Sequence, residues 1–231
     1  VINYNRSVLH LTGITAIFYG GLQIVAIVIL FAGLQLNMIP VETFTPENVL
    51  KLYQNSGFGT ALFVQIISLI FFPLAMVGFF RFLRNEVNLF PHIGFIYGSI
   101  AFTIFLITGF LQAGLVQLLA FQTETASFTM KNDIFLINQI IHFLNVPTVI
   151  LYFIFLCFWG ISFKRLEINY GLIIGLLFLV SGVVLLLKQL FVFLEWPNIA
   201  SVSYIIEVLT MSVAFILAGT AVFHLANKLP S

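Results

Sequence analysis

Residues 170–194 read YGLIIGLLFLVSGVVLLLKQLFVFL, a run of aliphatic, aromatic and small side chains carrying one charge, Lys188. A helix rises about 1.5 Å per residue, so such a run is long enough to cross the roughly 30 Å hydrocarbon core of a bilayer. Five more segments of the same kind lie along the chain, near 8–35, 58–82, 92–120, 134–163 and 203–226. The expected fold class is all-α: a polytopic transmembrane helical bundle of six spans, forming a single domain over residues 1–231.

Composition leads to the same solvent. Of the 231 residues, 61% are hydrophobic and 7% charged, with a mean hydropathy of +1.14. A water-soluble domain carries roughly 25% charge, and with far less it would expose apolar patches that drive association. The 28 Phe residues suit helices facing acyl chains. A net charge of +1 with no basic run gives no footing for nucleic acid. The first apolar stretch, Ser7 to Leu36, far exceeds the roughly 7–15-residue core of a signal peptide and reads as a true span.

The intervening segments hold nearly all the charge. Arg6, Arg81, Arg84, Lys164, Arg165 and Lys228 fall on one side of the spans, against Lys51, Lys131 and the more deeply placed Lys188 on the other. Short cytoplasmic loops are enriched in Lys and Arg, so the N-terminus and, after an even number of spans, the C-terminus are both expected in the cytoplasm. Thr45-Pro46-Glu47 is a helix-start signal, combining a capping hydroxyl, a first-turn proline and an acid that complements the dipole. It predicts a short outer helix from Pro46 to Asn55. Pro73 and Pro147 lie inside spans, where neighbouring helices tolerate kinks.

Gly94-Phe-Ile-Tyr-Gly98 and Gly171-Leu-Ile-Ile-Gly175 are GxxxG motifs, which let helix backbones approach closely. The loops before them, RNEVN over 84–88 and RLEIN over 165–169, resemble each other, and a glutamine follows each first glycine by 18 residues, Gln112 and Gln189. A parallel repeat is the corresponding expectation, with spans two and three matching spans four and five.

Polar groups inside lipid are costly, so ionisable residues within spans are functional candidates. Lys188 and Glu207 flank the turn at Trp196-Pro197 almost symmetrically, and a tight hairpin of spans five and six brings them to similar depth, with Glu195 as a third member. Pairing offsets part of the desolvation cost; the competing reading is that both side chains snorkel to the interface. Asn138, His142 and Asn145 form a stripe on one face of span four. With Gln112 and Gln117 on span three and Gln65 on span two, they line a polar pocket opening outward or act as interhelical hydrogen-bonding glue. His10, His92 and His224 fall near the inner ends of their spans, where a facing pair is the arrangement a b-type haem requires. No HxxxH or HExxH pair supports a metal site. Cys157 stands alone in an apolar run, which excludes an intramolecular disulfide and fits a small buried hydrophobe. Phosphate-binding loops, nucleophile elbows and zinc-hydrolase carboxylates are missing from the sequence.

The layout resembles bacterial six-helix membrane proteins known only as families of unknown function. The features carrying the resemblance are the long outer loop after span one, the inner loops RFLR (81–84) and FKR (163–165), and Glu207 early in the last span. It implies residence in a bacterial cytoplasmic membrane and no particular activity, ligand or cofactor. The leading functional expectation is non-enzymatic: a protein that binds or passes a small or lipidic ligand through an outward-facing polar cavity. One alternative is an accessory subunit of a larger membrane complex, or a self-associating protein, packed through its GxxxG faces. The other is a redox subunit holding haem on the inner histidines.

Overall fold

A computed structural model describes residues 6–33, 54–84, 89–120, 128–166, 168, 170–194 and 196–228. Six helices follow in order: α1 (Arg6–Gly33), α2 (Ser56–Leu83), α3 (Phe90–Ala120), α4 (Phe128–Lys164), α5 (Gly171–Phe193) and α6 (Pro197–Lys228). All six contain a stretch long and apolar enough to cross a membrane, and helix is the only regular structure among the described residues. The chain is an integral membrane protein of six spans. The expected outer helix from Pro46 falls almost wholly outside the described residues. α4 and α6 begin about six residues before the apolar runs that announce them, α6 at Pro197, because proline suits a first turn whose N–H would have no partner anyway.

Local signals account for several boundaries. Asn55 caps α2, its side-chain oxygen accepting from Phe58 N at 3.0 Å. Tyr170 takes φ 66° immediately before α5, a left-handed residue that turns the chain sharply out of α4. At the α5–α6 turn, Trp196 N donates to Phe191 O at 2.9 Å and the two rings stack at 5.9 Å. Pro73 and Pro147 are both carried within continuous helices.

Each helix packs against its sequence neighbour, and α6 packs against α1, so the six form a closed ring. Hydropathy does not choose the buried face, because both faces are apolar. On α5 the inward stripe is Gly171, Ile174, Gly175, Phe178, Ser181, Gly182 and Leu185, while Leu172, Ile173, Leu176, Val180 and Val183 point outward. The small side chains and Phe178 go in together with Ile174 and Leu185, and most of the branched aliphatics go out to lipid. Outside the ring, Phe63, Ile70, Phe110 and Phe143 are each more than 60% exposed, a surface only acyl chains solvate well.

Half of the ring interior, towards the end carrying Arg6, Arg84, Lys164 and Lys228, is solid. Phe72, Phe79, Phe155, Trp159, Phe163, Phe178 and Phe215 are essentially fully buried there. Most of their rings meet edge-on or tilted, as in Phe79 against Trp159 at 5.8 Å and Phe178 against Phe215 at 5.3 Å, while Phe163 stacks on Phe178 at 5.6 Å. We call this half the plug.

Glycines set the closest helix crossings. A Cβ added to Gly94 would lie 2.5 Å from Trp159 Cδ1, and one on Gly98 2.7 Å from Phe155 and 2.8 Å from Met76. At Gly175 it would meet Gly160 O at 2.5 Å, and at Gly171 the Leu166 carbonyl at 2.7 Å. Both GxxxG motifs are thus spent on α3–α4 and α4–α5 packing inside the chain, where they offer no face to another subunit. They also touch non-equivalent neighbours, so the expected parallel repeat is not matched by equivalent packing: α5 packs broadly on α4, whereas α3 packs only thinly on α2. Further close approaches carry no GxxxG signature, among them Gly20, where a Cβ would meet the Ser212 carbonyl at 2.5 Å. Gly13 and Gly219 press together across α1 and α6, each barring a Cβ by the other's carbonyl at 2.8 and 2.6 Å, and Gly78 lies against Thr12.

A polar cavity above an aromatic floor

Beyond the plug the ring opens into a cavity of about 420 Å³ to which all six helices contribute. That size falls within the range of small-molecule sites, roughly 300–1,000 Å³. Its walls are mainly apolar, with Leu30, Ala61, Leu62, Leu69, Leu185 and Val192 among them. Its floor is aromatic. Tyr19, Phe72 and Tyr152 line it and rest on the plug, Tyr19 edge-on to Phe215 at 4.7 Å and Tyr152 tilted on Phe155 at 5.2 Å.

One wall holds the charges. Lys188 Nζ on α5 donates to Glu207 Oε2 on α6 at 2.6 Å, with side-chain exposures of 19% and 8%. Spans five and six therefore do form the expected hairpin with the two residues at one depth. They face each other rather than snorkelling apart. Lys188 Nζ also lies 5.3 Å over the ring centroid of Tyr204, and Tyr204 shares the cavity lining with Gln65 on α2. Just below, Ser181 and Thr210 join α5 to α6 through a 2.7 Å hydroxyl contact. Among the described residues these two are the only Lys, Arg, Asp or Glu lining the cavity, and the pair itself carries no net charge.

The other polar groups are amides, hydroxyls and one imidazole. Gln23 Nε2 on α1 donates to Ser68 Oγ on α2 at 2.7 Å. Tyr152 O–H donates to Met211 Sδ at 3.2 Å. Thr148 is satisfied by the Leu144 carbonyl within its own helix. Gln112, His142, Asn145 and Gln189 all reach the cavity surface. Among the described residues no hydrogen bond engages the amides of Gln112, Asn145 or Gln189. Half-buried amides left open towards a cavity are donors and acceptors available to a guest.

The structure thus gathers Lys188, Glu207, His142, Asn145, Gln112 and Gln65 around one space. It separates others from them. Asn138 stands on α4 one turn beyond His142 and does not line the cavity, and Gln117 is exposed on α3; Glu195 lies outside the described residues. Tyr19, Gln23, Tyr152 and Tyr204 belong to the cavity and were not singled out from the sequence, nor was Gln189 as a lining residue. Helical periodicity held the signal for two of them, since Gln23 follows Tyr19 by one turn and Tyr152 continues the stripe of His142 and Asn145 by two. The inner histidines lie elsewhere. His10 packs edge-on against Phe223 at 4.8 Å and His92 against Phe80 at 5.0 Å, while His224 is exposed. Among the described residues no three His, Cys, Asp or Glu side chains converge as metal ligands would.

Compared with protein-family models, curated proteins and solved structures, the chain matches none. The class it defines is therefore set by its own geometry: a six-span helical membrane protein with an internal, partly polar cavity on one side of a solid aromatic plug.

Proposed function

We propose that the protein binds a small amphipathic molecule in this cavity, in the cytoplasmic membrane of a bacterium, with the cavity facing away from the cytoplasm. The observation that carries the reading is the convergence of open amides and one paired charge on a space built by all six helices. Packing alone would fill such a space, as it does in the plug half. Polar groups placed at defined points in a mainly apolar pocket are how a site fixes the orientation of its guest. Placement of the cavity on the outer side follows from the Lys and Arg residues at the plug end. The reading asks for no reaction.

Native mass spectrometry of the protein, extracted gently from its membrane, tests this. A small molecule retained by the wild-type protein and lost from Glu207→Gln and His142→Leu variants that still fold supports the reading. Equal retention by the variants would sink it.

A further inference from the structure

The ring is not equally tight all round. α2 and α3 make fewer contacts than any other neighbouring pair, and their contacts gather at two heights. Towards the plug the seam is shut: Phe80 stacks on Phe95 at 4.6 Å, Phe72 stacks on Phe102 at 5.2 Å, and Gly98 presses on Met76. At the far end it closes again, where a Cβ on Gly59 would meet Val116 at 3.1 Å. Between these heights it is slack. An added Cβ on Gly109 would find only Ile66 Cγ1, at 3.9 Å, and both residues line the cavity. From Gly59 to Phe72 the slack stretch runs for about 20 Å along α2 at 1.5 Å per residue. Phe63 and Phe110, both largely exposed, flank it on the lipid side.

We propose that the α2–α3 seam is a lateral portal from the bilayer, and that the guest is an uncharged single-chain amphiphile with a hydroxyl or amide head. This rests on the cavity reading above and names its ligand class. The head follows from the lining: Lys188 and Glu207 neutralise each other at 2.6 Å, so among the described cavity residues no other Lys, Arg, Asp or Glu is left to offset a net charge on the guest and its desolvation cost. Gln112, Asn145 and Gln189 offer both donors and acceptors, which suit a hydroxyl or amide. The chain follows from the route, because only an apolar tail lies comfortably between Ile66 and Phe105 and onward into lipid. Gly109 is the portal's hinge point in a chemical sense: any side chain there narrows it.

Cross-linking across the seam tests the proposal. Cys157 is the sole cysteine, so an Ile66→Cys/Gly109→Cys pair in a Cys157→Ala background forms a single defined disulfide. The protein, reconstituted in vesicles, is photolabelled with a long-chain alcohol bearing a mid-chain diazirine, and with the matching carboxylic acid. Adducts are read on Tyr152, Tyr204 and Met211. Alcohol adducts in the reduced protein, lost on oxidation and restored by reductant, are expected, with little labelling by the acid. Gly109→Phe provides an independent block and should lose the same adducts. Adducts that survive both blocks overturn the portal while leaving the cavity reading intact. Equal labelling by the acid overturns the uncharged head, and no adducts in the reduced protein overturns the ligand class. The retained-molecule measurement judges the cavity reading separately.

Discussion

Removing one partner of the Lys188–Glu207 pair should cost far more than removing both. The carboxylate is 8% exposed and its cation 2.6 Å away, with the Tyr204 ring beside the ammonium. In Lys188→Met, Glu207 stays behind among Leu185, Val208 and Met211 with no cation within reach among the described cavity residues. Breaking a buried pair in this way costs about 3–5 kcal/mol, whereas replacing both members by apolar residues of similar size is often neutral or stabilising. We therefore expect Lys188→Met and Glu207→Leu each to lose about 3 kcal/mol or more, and the double variant to recover most of that loss. Reversible unfolding in mixed detergent micelles, followed by far-ultraviolet circular dichroism, gives all four corners of the cycle. The recovered double variant should nevertheless fail to retain its guest, which separates stability from binding. Single variants within about 1 kcal/mol of wild type would refute the reasoning. They would mean the two side chains sit in water at an interface.

Other expectations follow from particular contacts. Gly175→Ala places a methyl 2.5 Å from the Gly160 carbonyl and should destabilise the bundle by about 1–3 kcal/mol. Gly21→Ala meets nothing within 4 Å and should instead stabilise it by about 0.5–1 kcal/mol in the same unfolding assay, the ordinary helix preference for alanine. Phe215→Ala removes a fully buried ring that touches Tyr19, Phe72, Phe79 and Phe178, with an expected loss of about 3–5 kcal/mol. In a Cys157→Ala background, Asn145→Cys should react with a membrane-impermeant thiol reagent only from the side opposite to Lys228→Cys. Reaction of both from one side would invert or void the assigned orientation.

The spans were legible because crossing lipid demands unbroken apolar length, a property each segment carries by itself. The ion pair was legible for a related reason. In a run such as 170–194 a single lysine stands out, and the Trp196-Pro197 turn sets its depth against Glu207. The tyrosines of the floor were not, because a tyrosine in an apolar helix resembles any other aromatic until its hydroxyl meets a partner on another helix, as Tyr152 meets Met211. The glycine contacts show the same limit. Gly13 and Gly219 form a close crossing only as a pair, and neither belongs to a GxxxG motif. Where GxxxG was present it correctly marked close packing, but not whether the neighbour was another helix of this chain or another protein. The face a helix buries was the least legible feature, since lipid and core reward apolar surface alike. On α5 glycine and serine mark the inward stripe, yet Ile174 and Leu185 lie on it while Leu172 and Ile173 face out.

A crystal structure of the protein purified from its own membrane would test the cavity most directly. The account predicts density for an elongated guest, its polar end at Gln112, Asn145 and Gln189 and its apolar part directed towards the Ile66–Gly109 seam. A cavity collapsed by inward movement of α2 and α3, or one holding only separate waters in contact with those amides, would contradict it.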